Sequence, residues 1–527
     1  MKTLFSTILT AALLFTPCFS RAQSPEELMG VPPDEFENPA QIYLNSVMER
    51  SDQMLQAKDE NGALALLTEN FDHFARLRAS LSAKMLDIFL AGDNAAEAKR
   101  FFLQHAPQDP EIARAGIDKI YSYYLRKQDN DAIIEWTAQL LKLPLPEDLQ
   151  PLVFNWRLNA VCSGGTLEKA RDIIKTCGAA FSPETCRTIF APALSSLVEK
   201  NKYDDADRLL NMIEKEGKGA GELRSMAAAE KTKIFILREQ WKEGKEFLMK
   251  KLADLSDGDL AGTISFAAAK ARKDAEFDAV DQMCMFTLKN RQINSGAGNA
   301  AARASLAMLK ANNKIPLIPA RLGEFMDMGL KTPALYSVYC DYFYPVVMQE
   351  NRDLAKQMMA FGDKFGGQLE KTDDQKQMAL FGIDALFIIG DYEGALQAAA
   401  ENKKYWPKDW LDSTRAKIGA HLALEKKNYS EAVEGFRKYM VYIAENKVGS
   451  YNPINEQIYT PDMLLGFNAM RIGNILRDNL KDEPGARKAY DEAEKYFKKA
   501  AKDVRPDTKE AKYIEEQMAL LDARKKQ

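Results

Sequence analysis

The chain has 527 residues, of which 46% are hydrophobic and 28% charged. That is the balance of a folded polypeptide, with length for three or four domains or one long repeat array. Lys and Arg (72) nearly cancel Asp and Glu (76), giving a formal charge of −4, so no basic excess points to nucleic acid or anionic lipid.

The N-terminus reads Met1-Lys2, then a mostly apolar run from Leu4 to Phe15, then Ser20-Arg21-Ala22. A basic start, a short apolar stretch and small residues at the −3 and −1 positions predict a secretory signal cleaved after Ala22. The run is short of the ~20 apolar residues that span a bilayer. Lipidation at Cys18 is disfavoured by Pro17, which stands where Gly or Ala belongs. The expectation for residues 1–22 is therefore export to the periplasm or the cell exterior, with no membrane insertion after cleavage. Cys162, Cys177, Cys186, Cys284 and Cys340 remain, an odd set. In an oxidising compartment a Cys177–Cys186 disulfide is open, since their spacing can turn one helix into the next; buried free thiols are the alternative.

Residues 23–44 form a polar lead containing Pro32-Pro33. Residues 45–445 read as helix throughout, with apolar residues at three- and four-residue spacing and short polar breaks such as Lys-Asp-Glu-Asn-Gly and Ile-Gly-Asp-Tyr. Such breaks suit antiparallel helix pairs. A small residue follows each break: Ala63, Ala98, Ala132, Ala170, Ala206, Gly244 and Ala279 recur every 34–38 residues, and Ala320, Ala355, Ala395 and Ala432 continue the series less regularly. Tyr203, Tyr392 and Tyr429 each stand three residues before the small residue, and Trp241 and Leu167 do so more loosely. Phe102, Trp136 and Phe436 stand four after it; Pro110, Pro144 and Pro407 stand twelve after it. Closely crossing helices admit only a small side chain at the crossing, a bulky neighbour fills the adjoining gap, and Pro ends the unit.

In these features the chain resembles tetratricopeptide repeats (TPR) over roughly residues 45–500. The resemblance implies an all-α fold: a right-handed superhelical solenoid of antiparallel helix pairs whose first helices line a concave groove. Carried onto the firm units, inward positions include Asp384, Phe387, Lys417 and His421. Lys417 and His421 share one helix face and, with Asp384, could clamp a charged peptide end. Trp406 and Trp410 could stack on a sugar or anchor a protein, or lock the turn between repeats. Residues 446–461 form a long loop with two Tyr and two Pro. Residues 462–527 read as a final repeat and a capping helix, with 13 Lys/Arg against 11 Asp/Glu from Lys481 onward.

No H-E-x-x-H, paired C-x-x-C, G-x-S-x-G or Walker loop occurs, and His73, His105 and His421 are scattered along the chain. The expectation is a chain with no catalytic or metal residues and no cofactor, binding another protein or peptide of the cell envelope as a scaffold. The alternative is an α-helical glycan-binding or carbohydrate-active envelope protein, which would gather acids and aromatics in one deep pocket.

Overall fold

A computed structural model describes residues 39–216, 221–349, 351–452 and 457–526. The expected signal peptide and most of the polar lead lie outside the described residues. The described chain is all-α, apart from one small hairpin, and divides into two compact units: residues up to 181 with 185–205, and residues 182–184 with those from 206 on.

Unit 1 contains α1 (Pro39–Gln56), α2 (Glu60–His73), α3 (Arg78–Ala91), α4 (Ala95–His105), α5 (Pro110–Arg126), α6 (Asn130–Leu140), α7 (Gln150–Ser163), α8 (Ala170–Ala180) and all but the first two residues of α9 (Pro183–Glu199). Helix α10 (Tyr203–Glu216) runs across the division. Unit 2 continues with α11 (Gly221–Leu237), α12 (Trp241–Lys251), α13 (Asp257–Lys270), α14 (Asp274–Asn290), α15 (Gly296–Ala311), α16 (Ile318–Asp327), α17 (Thr332–Val347), α18 (Arg352–Gly366) and α19 (Thr372–Ile388). It ends with α20 (Tyr392–Glu401), α21 (Lys408–Glu425), α22 (Tyr429–Asn446), α23 (Pro461–Asn474), α24 (Glu483–Asp503) and α25 (Lys509–Lys526). Many helices pack on their sequence neighbours, such as α1 on α2 and α21 on α22, and alternate helices such as α3 and α5, or α13 and α15, also pack side by side. That is the contact pattern of stacked helix pairs.

The turns explain the period. Lys58, Asp93, Gln128, Gly165, Asn201, Glu239, Asn313, Gly390, Lys427 and Lys481 all have positive φ. Each closes a helix in the left-handed conformation, so the next helix can fold back. The residue five positions later is buried in every case: Ala63, Ala98, Ile133, Ala170, Ala206, Gly244, Ile318, Ala395, Ala432 and Ala486. The repeat position is thus Ile133 rather than Ala132, and Ile318 rather than Ala320, which is exposed. The aromatics three before the small residue, Tyr203, Trp241, Tyr392 and Tyr429, are the first residues of their helices. Acidic caps hold several starts: the Gly62, Ala132, Gly394 and Gly485 amides donate to Asp59, Asp129, Asp391 and Asp482.

The bulky neighbours fill the core. Phe102, Trp136 and Phe436 have 0% exposure, and Phe102 meets Trp136 edge to face at 5.4 Å between centroids. Backbone approach is tightest at Gly298 in α15, where an added Cβ would lie 2.3 Å from the Gln292 carbonyl oxygen and 2.5 Å from that of Ile293, in the turn that enters the helix. Backbone cannot yield as a side-chain tip can. Gly298→Ala is therefore expected to lower unfolding free energy by about 1–3 kcal/mol, readable as a shift in urea midpoint at unchanged m-value.

The expected loop 446–461 is in part ordered as β-structure. In β1 (Ser450–Asn452) and β2 (Gln457–Tyr459) Ser450 pairs with Tyr459 in an antiparallel register. Helix α23 ends in a π-helical turn over Ile475–Asn479, a widening that often accompanies a functional surface. The five cysteines among the described residues are free: four are buried and Cys340 partly so. The anticipated Cys177–Cys186 bond is corrected accordingly; both thiols are packed in the core, where burial raises their pKa, and thiols kept protonated there are poor nucleophiles. No described helix is long and apolar enough to cross a membrane.

Candidate functional site

The C-terminal part of unit 2 contains a cleft of about 650 Å³ between α19, α21, α22, α23, α25 and the hairpin. Among the described residues its walls carry two cations, Lys417 and Arg471, and no acidic side chain. The aromatics Phe387, Tyr439, Tyr459, Phe467 and Tyr513 line it, together with the carboxamides of Asn468, Asn474 and Gln517.

Three of the residues anticipated from sequence meet here. Lys417 and His421 are one turn apart on α21 and lie opposite Phe387 of α19. The Lys417 ammonium sits 4.6 Å from the Phe387 ring centroid and 5.7 Å from that of Tyr439, in cation–π range of both. It makes no hydrogen bond or ion pair with any described residue. Burial pulls its pKa down, Asp384 opposes this, and Arg471 adds to it. The Arg471 guanidinium lies over Phe436 at 5.2 Å and reaches His421 Nε2 at 3.1 Å. Arginine can only donate, so Nε2 accepts and the imidazole proton sits on Nδ1.

The same surroundings keep His421 uncharged. Burial first, then the nearby charges of Arg471 and Lys417, lower its pKa to about 3. In the unfolded chain this imidazole titrates near 6.5. Between these values the unfolded state binds a proton that the folded state refuses, so stability is intact above about pH 6.5 and is lost as pH falls below it. The expected loss from this group is up to about 2 kcal/mol by pH 5. Urea titrations at pH 7 and pH 5 check it: His421→Gln should shrink the difference between the two.

Asp384 stands behind this wall. It lines a smaller adjoining cavity of about 140 Å³ with Phe387, Trp410 and Lys417. Tyr344 Oη donates to its carboxylate at 2.6 Å; burial nonetheless raises its pKa. Asp384 thus offsets part of the Lys417 charge from behind, without facing the main cleft. Trp406 and Trp410 do not offer a free platform together, because their rings stack on each other at 4.1 Å and 21°. The Trp406 indole N–H is buried without an acceptor, and Lys376 lies over its ring at 4.9 Å. Their arrangement is that of a turn lock between α20 and α21.

Sequence reasoning missed Arg471, Tyr439 and the closing aromatics. Tyr459, Phe467 and Tyr513 meet with centroids 5.7–5.9 Å apart and close one end of the cleft. The Ile458 amide also donates to Glu510 of α25 at 3.5 Å, tying the hairpin to the last helix. No groups of His, Cys, Asp and Glu among the described residues could hold a metal ion.

No protein-family model and no curated protein matches this sequence. Solved structures similar to it include the APC/C hetero-tetramer Cut9–Hcn1, at 11% identity and a TM-score of 0.21, covering 92% of this chain and 90% of that one. Yeast Tom70 matches at 9% identity and a TM-score of 0.27, covering 92% and 96%. The Naa15/Naa10 complex bound to HypK-THB matches at 13% and 0.22, covering 92% and 78%. At these values the likenesses carry no argument about partner or activity.

Proposed function

We propose that this chain is an exported, non-catalytic scaffold that binds another protein of the cell envelope, and that the C-terminal cleft takes an acidic, partly apolar segment of that partner. One observation carries the binding reading: among the described residues two cations and no acid line a cleft walled by aromatics, and the Lys417 ammonium has no hydrogen-bonded partner there. A carboxylate entering there would meet Lys417 and Arg471, and an apolar neighbour would meet Phe387, Tyr439 and Phe467. No general base stands beside a nucleophile in the cleft, and its one imidazole is held neutral as an acceptor from Arg471. Export rests on the Met1–Ala22 pattern alone.

Crosslinking in intact native cells, followed by recovery of the chain and mass spectrometry, tests both halves. The expected result is a mature N-terminus at Gln23 and one protein recovered in stoichiometric amount. Recovery of glycan fragments in place of a protein would overturn the scaffold reading, and a retained Met1 would overturn export.

A further inference from the structure

A second cleft, in unit 1, is built from α6, α7 and α8 and the segments joining them, and encloses about 550 Å³. Leu141, Phe154 and Ile173 supply apolar wall; Arg157, Lys142 and Lys169 supply charge; Asp172 is the one acid among the lining residues. None of these four charged groups makes an ion pair with a described residue. Arg157 Nε is sealed from solvent with no hydrogen-bond acceptor. A buried donor left unmade costs on the order of 1–3 kcal/mol; unlike the other such donors, this one belongs to a cation whose side chain lines a cleft with room for an anion. Lys142 and Lys169 are exposed at the rim and contribute field rather than a fixed contact.

We infer that this cleft is a binding site for a carboxylate carried on an apolar group, held by Arg157 against the Phe154 and Ile173 wall. The guanidinium supplies a planar fork that matches a carboxylate. Two cations in excess of the single acid favour an anion, and the apolar wall discriminates against a fully hydrated ion such as inorganic phosphate. Two sources offer this chemistry: a free aliphatic acid, or the C-terminal residue of a peptide. The site is separate from the cleft in unit 2 and does not depend on the scaffold reading.

Isothermal titration of the full chain tests it, with octanoate, octanamide, inorganic phosphate, and the peptide Gly-Gly-Leu bearing either a free or an amidated C-terminus. The expected result is binding of octanoate or free-acid Gly-Gly-Leu, with octanamide, amidated peptide and phosphate at least tenfold weaker. Binding of octanoate alone identifies a free acid; binding of the free peptide alone identifies a chain terminus. Arg157→Gln is expected to weaken the bound acid by about tenfold or more. Thr176→Glu provides a second variant, because Thr176 is an exposed lining residue whose hydroxyl donates only to the Asp172 carbonyl one turn back, at 2.7 Å. Its new carboxylate should repel the ligand while circular dichroism stays unchanged. Failure of both acids to bind, equal binding of octanamide or phosphate, or affinity unchanged in Thr176→Glu would overturn the inference.

Discussion

Reversing both cleft cations, Lys417→Glu with Arg471→Glu, is expected to weaken capture of an acidic, aromatic-containing peptide by at least about 100-fold. Truncating one partner of a desolvated charge pair typically costs 2–5 kcal/mol, and like charges facing each other add to that cost. The described residues of the wall supply no other cation to compensate. The two positions should not contribute equally. Lys417 is half-buried between two rings, whereas Arg471 is exposed at the mouth, so Lys417→Met alone should cost about tenfold and Arg471→Met less. Lys417→Glu also places a second carboxylate beside Asp384, whose pKa burial already raises, and each carboxylate would make the other harder to ionise. Lys417→Met avoids that complication and retains the aliphatic stem. Fluorescence anisotropy with a labelled acidic peptide at two salt concentrations checks the series. Wild-type affinity should fall with salt, and the double variant should lose that dependence. Salt-independent binding in the wild type would exclude an electrostatic cleft.

Some of this was legible in the sequence, and the residues show why. Ala63, Ala98, Ala170, Ala206, Ala395 and Ala432 announce the repeat because a small residue is what a close helix crossing demands. Ile133 and Ile318 hold the same structural position without being small, so a search for Ala slipped to Ala132 and Ala320. The deeper regularity is the left-handed turn residue five positions earlier. Gly165 and Gly390 signal such a turn through their freedom at positive φ, but Lys58, Gln128, Glu239 and Lys427 occupy it with side chains that give no hint. The site divides in the same way. Lys417 and His421 are found together because four residues on one helix share a face. Arg471 stands 50 residues further along, on a helix reached only after the hairpin, and local spacing holds no record of that meeting. Trp406 and Trp410 have the same four-residue spacing, yet Trp406 stands in extended backbone before the first residue of α21, and the two rings turn toward each other. Spacing fixes a shared face, and the neighbouring packing decides whether that face is free.

Phe436→Ala is expected to cost about 3–5 kcal/mol, the range for emptying a fully buried aromatic site. Phe436 has 0% exposure. Its ring meets His421 at 5.2 Å between centroids and lies under the Arg471 guanidinium at 5.2 Å, so it is both repeat core and cleft floor. In a stack of helix pairs each element contacts mainly its neighbours, and a local loss should remain local. Hydrogen exchange should therefore accelerate across α21, α22 and α23 while α13, α14 and α15, which pack among themselves, keep their protection. A single global transition shifted as a block would show that the unit folds as one cooperative body instead. Without its floor, His421 loses the packing that keeps it uncharged, and its pKa should climb from about 3 toward the ordinary 6.5. The acid sensitivity assigned to this imidazole should shrink with it. Because Lys417 rests on Phe387 and Tyr439 rather than on Phe436, peptide capture in the variant should fall by less than in the charge reversal. That order, stability hit hardest by Phe436→Ala and binding hardest by the lost cations, separates what builds the cleft from what the cleft uses.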